Sequence, residues 1–100
     1  MAKLKLLSEN CGYYAFMCPG CGSDHGYYTK PHQNHAGRPG PVWEWNGSLE
    51  KPTFTPSLLI NAPWPERRCH LHLTEGQIHY CPDCHHQLAG QTVECPEWED

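Results

Sequence analysis

Two short stretches of this sequence carry sulfur at metal-knuckle spacing: CPGCG, with Cys18 and Cys21, and CPDCH, with Cys81 and Cys84. A tight turn between two cysteines sets both thiolates on one side with backbone N–H groups aimed at them, and two such turns can complete a tetrahedral site. Cys18, Cys21 and Cys84 are the ligands this spacing points to. The fourth place stays open on the residues alone: Cys81 follows from spacing, Cys69 from the pairing of a nearby hairpin, and His85 or His86 from adjacency. Thiolate-rich tetrahedral sites favour Zn²⁺. Iron is the competing metal, because two CPxC knuckles also resemble rubredoxin, which would make the protein an electron carrier.

Eight histidines accompany the cysteines, and His25, His70 and His86 flank three of the candidate ligand positions. They read as hydrogen-bond partners of the thiolates, with a second imidazole site or an open zinc position as the alternative. His32 and His35 fall in a loop and read as solvated. No nucleophile elbow, phosphate loop or Ser/His/Asp order is visible, so no catalytic residue is assigned. An HNH-type nuclease would use His35 as general base and His85 as a metal ligand. Against it, the stretch before the second knuckle, TEGQIHY, lacks the asparagine that such a site needs.

The elements that position these groups read as short strands. Residues 3–7 and 12–17 form a pair around a turn at Asn10–Gly12, which the first knuckle closes. Residues 29–41 have the composition of an irregular loop. VWEW, 42–45, runs into Asn46-Gly47, a hairpin signal, and PTFTPSLLI, 52–60, supplies the partner, with prolines that imply an edge. CHLHLTEGQIHY, 69–80, is a second hairpin with two registers. A two-residue turn at Glu75-Gly76 pairs His70 with Cys81, whereas a glycine bulge at Gly76 pairs Cys69 with Cys81. The bulge is preferred, because glycine alone then takes the left-handed position. In a strand Trp43 and Trp45 share a face; they read as core, or with Phe54 and Trp64 as an aromatic contact patch.

One hundred residues make one small domain, 1–100, with little apolar surface to spare and therefore in need of a staple. Ten prolines and nine glycines leave little room for helix. The acidic stretch 94–100 reads as a tail or contact arm. Seven Lys and Arg and a net charge of −4 provide no cationic face for nucleic acid. The amino-terminal apolar run is too short for a signal peptide or membrane span, and an odd cysteine count with C-x-x-C spacing fits a reducing compartment.

The stretches CPGCG with His25, GPVWEWNG, PTFTPSLL, Cys69-His70 with TEGQI, and DCHHQLAGQTV resemble a family of small phage and prophage proteins that sometimes carry an "ammonia monooxygenase" label, which nothing in these residues supports. The resemblance implies that Cys18, Cys21, Cys69, His70, Cys84 and His86 occupy motif positions, and that Cys11, Cys81, His85 and Cys95 depart from the pattern. It moves the expected ligand set to Cys18, Cys21, Cys69 and Cys84, with Cys81, His25, His70 and His86 as alternatives or neighbours.

Together these readings predict a β-rich, zinc-ribbon-like domain of antiparallel hairpins in the cytoplasm of a bacterial host. The expected role is a non-catalytic module that binds a host protein, as an inhibitor of a defence or regulatory protein. The alternatives are a zinc-dependent hydrolase, an HNH-like nuclease, and a rubredoxin-like carrier.

Overall fold

The computed structural model describes residues 2–34 and 36–99. Its elements are nearly all antiparallel strands, joined by one short 3₁₀ turn at Pro65–Arg67. Strands β1 (Lys5–Ser8), β2 (Tyr13–Cys18) and β3 (Ser23–Tyr28) form a meander in the order β1-β2-β3. Strands β4 (Glu44–Trp45) and β5 (Phe54–Thr55) form a two-stranded ribbon. A four-stranded sheet runs β6 (Leu58–Ile60), β7 (Cys69–Thr74), β8 (Gln77–Tyr80) and β9 (Thr92–Glu94). The described residues of 29–41 form the irregular loop that their composition predicts, with one bridge between Gln33 and Pro39.

The core follows from period-two burial. Along β7, Cys69, Leu71 and Leu73 point inward, while His70 and His72 face the other side. Phe16, Tyr27, Phe54, Leu71, Leu73 and Ile78 are fully buried. Tyr27 and Phe54 lie face to face with centroids 4.0 Å apart, and the Trp43 ring meets Tyr27 edge-on at 5.3 Å. This aromatic seam joins the meander to the β4–β5 ribbon. It also corrects the expected contact patch. Phe54 is core, Trp43 and Trp45 are half-buried and engaged with core rings, and only Trp64 is exposed. Trp43 precedes β4, so the shared strand face expected for Trp43 and Trp45 does not form.

The β7–β8 hairpin takes the register that was not preferred. His72 pairs with His79 and Leu73 with Ile78 across a two-residue turn at Glu75-Gly76. Both turn residues are left-handed, with φ of 51° and 78°, a backbone that matches the twist of its strands. Glycine adopts this conformation freely and glutamate does not. Tertiary bonds hold Glu75 there: its N–H donates to Thr53 Oγ1 at 2.8 Å, and the Gly76 N–H donates to the Pro52 carbonyl at 3.0 Å.

The acidic carboxyl-terminal stretch begins inside β9 and continues along the fold. Cys95 is buried, and the Trp98 N–H donates to the Ala2 carbonyl at 2.9 Å. Among the described residues no helix is long and apolar enough to cross a membrane.

Candidate functional site

The first knuckle is the turn of the β2–β3 hairpin. β2 ends on Cys18, the Gly22 N–H returns to the Cys18 carbonyl at 2.9 Å, and Gly22 supplies the required positive φ of 69°. β7 begins on Cys69, whose side chain points into the same interior. The ligand atoms of Cys18, Cys21, His25 and Cys69 all lie within 4.8 Å of one another. A second group, Cys69, Cys84 and His86, shares Cys69 with the first. Around them, Tyr80 Oη is 2.9 Å from Cys18 Sγ, His85 Nε2 is 3.4 Å from Cys21 Sγ, and His86 Nε2 is 3.5 Å from Cys69 Sγ.

The thiols compete for one negative charge. A hydrogen bond from Cys69 holds the Cys18 thiol down to about 3, and the same bond, with burial, pushes Cys69 up. Burial, followed by the charge on Cys18, pushes Cys21 up to about 11. Further ionisation is therefore opposed unless a cation sits among the sulfurs. His25 adds a geometric indication: its Nε2 is buried with no hydrogen-bond partner, an unfavourable state that coordination would relieve. Soft sulfur donors, an orphaned imidazole nitrogen and ligand-scale spacing fit a metal ion.

The second knuckle is divided between two places. In the observed register the Cys81 N–H donates to the His70 carbonyl at 2.9 Å, so Cys81 sits opposite His70 rather than Cys69. Its sulfur groups with His70 and Asp83. Cys84 reaches the cysteine cluster through Cys69, and its sulfur lies against the backbone of His70, 3.2 Å from the N–H and 3.1 Å from the carbonyl oxygen.

His70 stands at the centre of a second constellation. Its Nε2 is 3.0 Å from Ser57 Oγ, and its Nδ1 is 3.3 Å from Asp83 Oδ1. Each member comes from a different part of the fold. Ser57 leads into β6, His70 lies on the outward face of β7 beside that strand, and Asp83 lies in the second knuckle. The pairing of Leu59 with His70 places the start of β6 alongside the imidazole. Trp43 fixes the serine backbone, with Nε1–H donating to the Ser57 carbonyl at 3.3 Å. Ser57 and His70 are half-buried and Asp83 is exposed. A hydroxyl on one imidazole nitrogen and a carboxylate on the other is the arrangement in which histidine can take the hydroxyl proton while the carboxylate holds the ring in its tautomer.

Cys18, Cys21, Cys69 and His25 thus come together, with Cys84 and His86 at their margin, while Cys81 and His70 belong to the Ser57–Asp83 side. His32 stacks on Tyr28 at 3.7 Å, and His35 lies outside the described residues. Sequence reasoning missed Ser57 and Asp83 as functional residues. The available signal was the register of the β7–β8 hairpin, which sets His70 beside the second knuckle and Asp83; the β6–β7 pairing that brings Ser57 to it has no such mark in the sequence.

No curated protein and no solved structure gives a significant match to the chain. A family model described as "Bacterial ubiquitination-like system serine protease (BubE)" matches residues 2–81, a span that contains Ser57 and His70 and ends just before Asp83. On that match, which covers most of its length, the chain belongs to the BubE family.

Proposed function

We propose that this protein is a serine peptidase of a bacterial ubiquitination-like system, with Ser57 as nucleophile, His70 as general base and Asp83 as its orienting carboxylate. The observation that carries the reading is the Ser57–His70–Asp83 chain of contacts at 3.0 and 3.3 Å. The family's description as a serine protease agrees with it. His70 Nε2 takes the Ser57 proton as Oγ attacks a carbonyl carbon. The same proton then passes to the leaving group, and water, deprotonated by His70, releases the acyl group. Asp83 keeps the proton on Nδ1 so that Nε2 is free to accept. The reading is tested with conjugates made by a bacterial ubiquitination-like system: catalytic amounts of the protein shorten them, as followed by intact mass, and equal amounts of Asp83→Asn do so about 10²- to 10⁴-fold more slowly. Intact conjugates after prolonged exposure to folded protein would contradict it and favour the non-catalytic binding role.

The metal in this reading is structural Zn²⁺. Bound, it would tie the β2–β3 turn to the start of β7, next to the proposed catalytic histidine, and supply stability rather than chemistry. Cys18, Cys21 and Cys69 would be its sulfur ligands. The remaining place, expected from knuckle spacing to go to Cys84, is assigned to His25, because the His25 nitrogen shares ligand-scale distances with all three sulfurs and has no other partner. X-ray absorption at the zinc edge is expected to give three sulfurs and one nitrogen. Four sulfurs would return the place to Cys84.

A further inference from the structure

Cys81 lies on the Nδ1 side of the proposed triad and takes no part in it. Its sulfur, a carboxylate oxygen of Asp83 and a ring nitrogen of His70 all fall within 4.8 Å of one another. The juxtaposition is built by the fold. The register that pairs Cys81 with His70, through the 2.9 Å bond from Cys81 N–H to the His70 carbonyl, turns both side chains to the outer face of the sheet. Cys81 and His70 are partly accessible and Asp83 is exposed, so an ion can arrive from solvent. One sulfur, one imidazole and one carboxylate are a donor set that Zn²⁺ accepts, and three protein ligands leave a place for water, the form of an exchangeable site.

We propose that Cys81, His70 and Asp83 form a second, reversible Zn²⁺ site, separate from the cysteine cluster, whose occupation switches the peptidase off. This inference rests on the triad reading. The nitrogen facing Asp83 is Nδ1, 3.3 Å away, and that is the atom the ion takes. The Cys81 thiol proton leaves to solvent, and the imidazole proton is displaced from Nδ1 to Nε2. Nε2 then donates a hydrogen bond toward Ser57 instead of accepting one, and the hydroxyl loses its base. Asp83, now a ligand, no longer holds the productive tautomer. Zinc acts here at the catalytic histidine itself, whereas the cysteine cluster acts on the fold.

The test uses the full chain loaded with one zinc equivalent, Zn²⁺ as inhibitor and Co²⁺ as spectroscopic probe. Turnover of a small ester is expected to fall at least about tenfold as free Zn²⁺ rises through the micromolar range, and to recover with a weak chelator that leaves the first ion in place. Cys81→Ala is expected to keep the basal rate and to need at least about tenfold more Zn²⁺ for the same inhibition. Co²⁺ added to the zinc-loaded protein is expected to give a thiolate-to-metal charge-transfer band that Cys81→Ala lacks. Equal inhibition of both proteins, or no band in the native chain, would overturn the second site. A band that depends on Cys81, in a protein with no turnover, would uphold the site and count against the peptidase reading alone.

Discussion

Ser57→Ala is expected to leave a folded, metal-loaded protein whose turnover is lower by on the order of 10⁴- to 10⁶-fold. The size of the effect follows from the serine's position. Its hydroxyl is the group within reach of His70 Nε2, at 3.0 Å, and the residue is half-buried at the mouth of β6 rather than part of the core. Removing one oxygen there creates no large cavity, so stability should change by less than about 1 kcal/mol. His70→Ala should cost about as much in rate, and the double variant little more, because a nucleophile and its base act as one unit. The check is a comparison of kcat/KM and melting temperature for the three variants. Additive losses, or a Ser57→Ala protein that keeps more than about a tenth of its rate, would mean that the serine is a bystander.

Cys69→Ser is expected to remove the metal, lower the melting temperature by about 15 °C or more and abolish turnover together. Cys69 is fully buried, opens β7 and belongs to two of the three potential ligand groups among the described residues, so its loss is expected to untie the β2–β3 turn from the strand that carries His70. A small all-strand domain has little other reserve. On the proposed reading this sulfur, next in sequence to His70, would link fold and chemistry: losing the ion would also free His70 from its place beside Ser57 and Asp83. Cys11→Ser is the control, since Cys11 is half-exposed and outside every ligand group among the described residues. Differential scanning calorimetry with elemental analysis checks both variants. A Cys69→Ser protein that melts normally with one zinc bound would contradict the structural role of this cluster.

What could be read in the sequence was local. C-x-x-C spacing marks a turn that must bring Cys18 and Cys21 together wherever it sits, and alternating burial is written into CHLHL. What could not be read depended on contacts distant in sequence. The hairpin register turned on Glu75, whose left-handed backbone is unfavourable alone and whose turn is held by bonds from Glu75 to Thr53 and from Gly76 to Pro52, both just before β5. That one register decided whether Cys81 served the cysteine cluster or faced His70. Strand β3 was missed because SDHGYY carries polar residues and a glycine, although pairing with β2 sets His25 opposite Phe16 and turns its ring toward the sulfurs. Ser57 and Asp83 lay inside PTFTPSLL and DCHH, stretches that had drawn attention for other reasons. A serine that leads into an edge strand gives no local sign of the imidazole beside it.

The most direct test of the account is the site of covalent labelling by a fluorophosphonate probe on the zinc-loaded full chain, mapped by peptide mass spectrometry. The account predicts a single adduct on Ser57 that disappears in His70→Ala. An unlabelled folded protein, or an adduct on another residue that survives in Ser57→Ala, would contradict it.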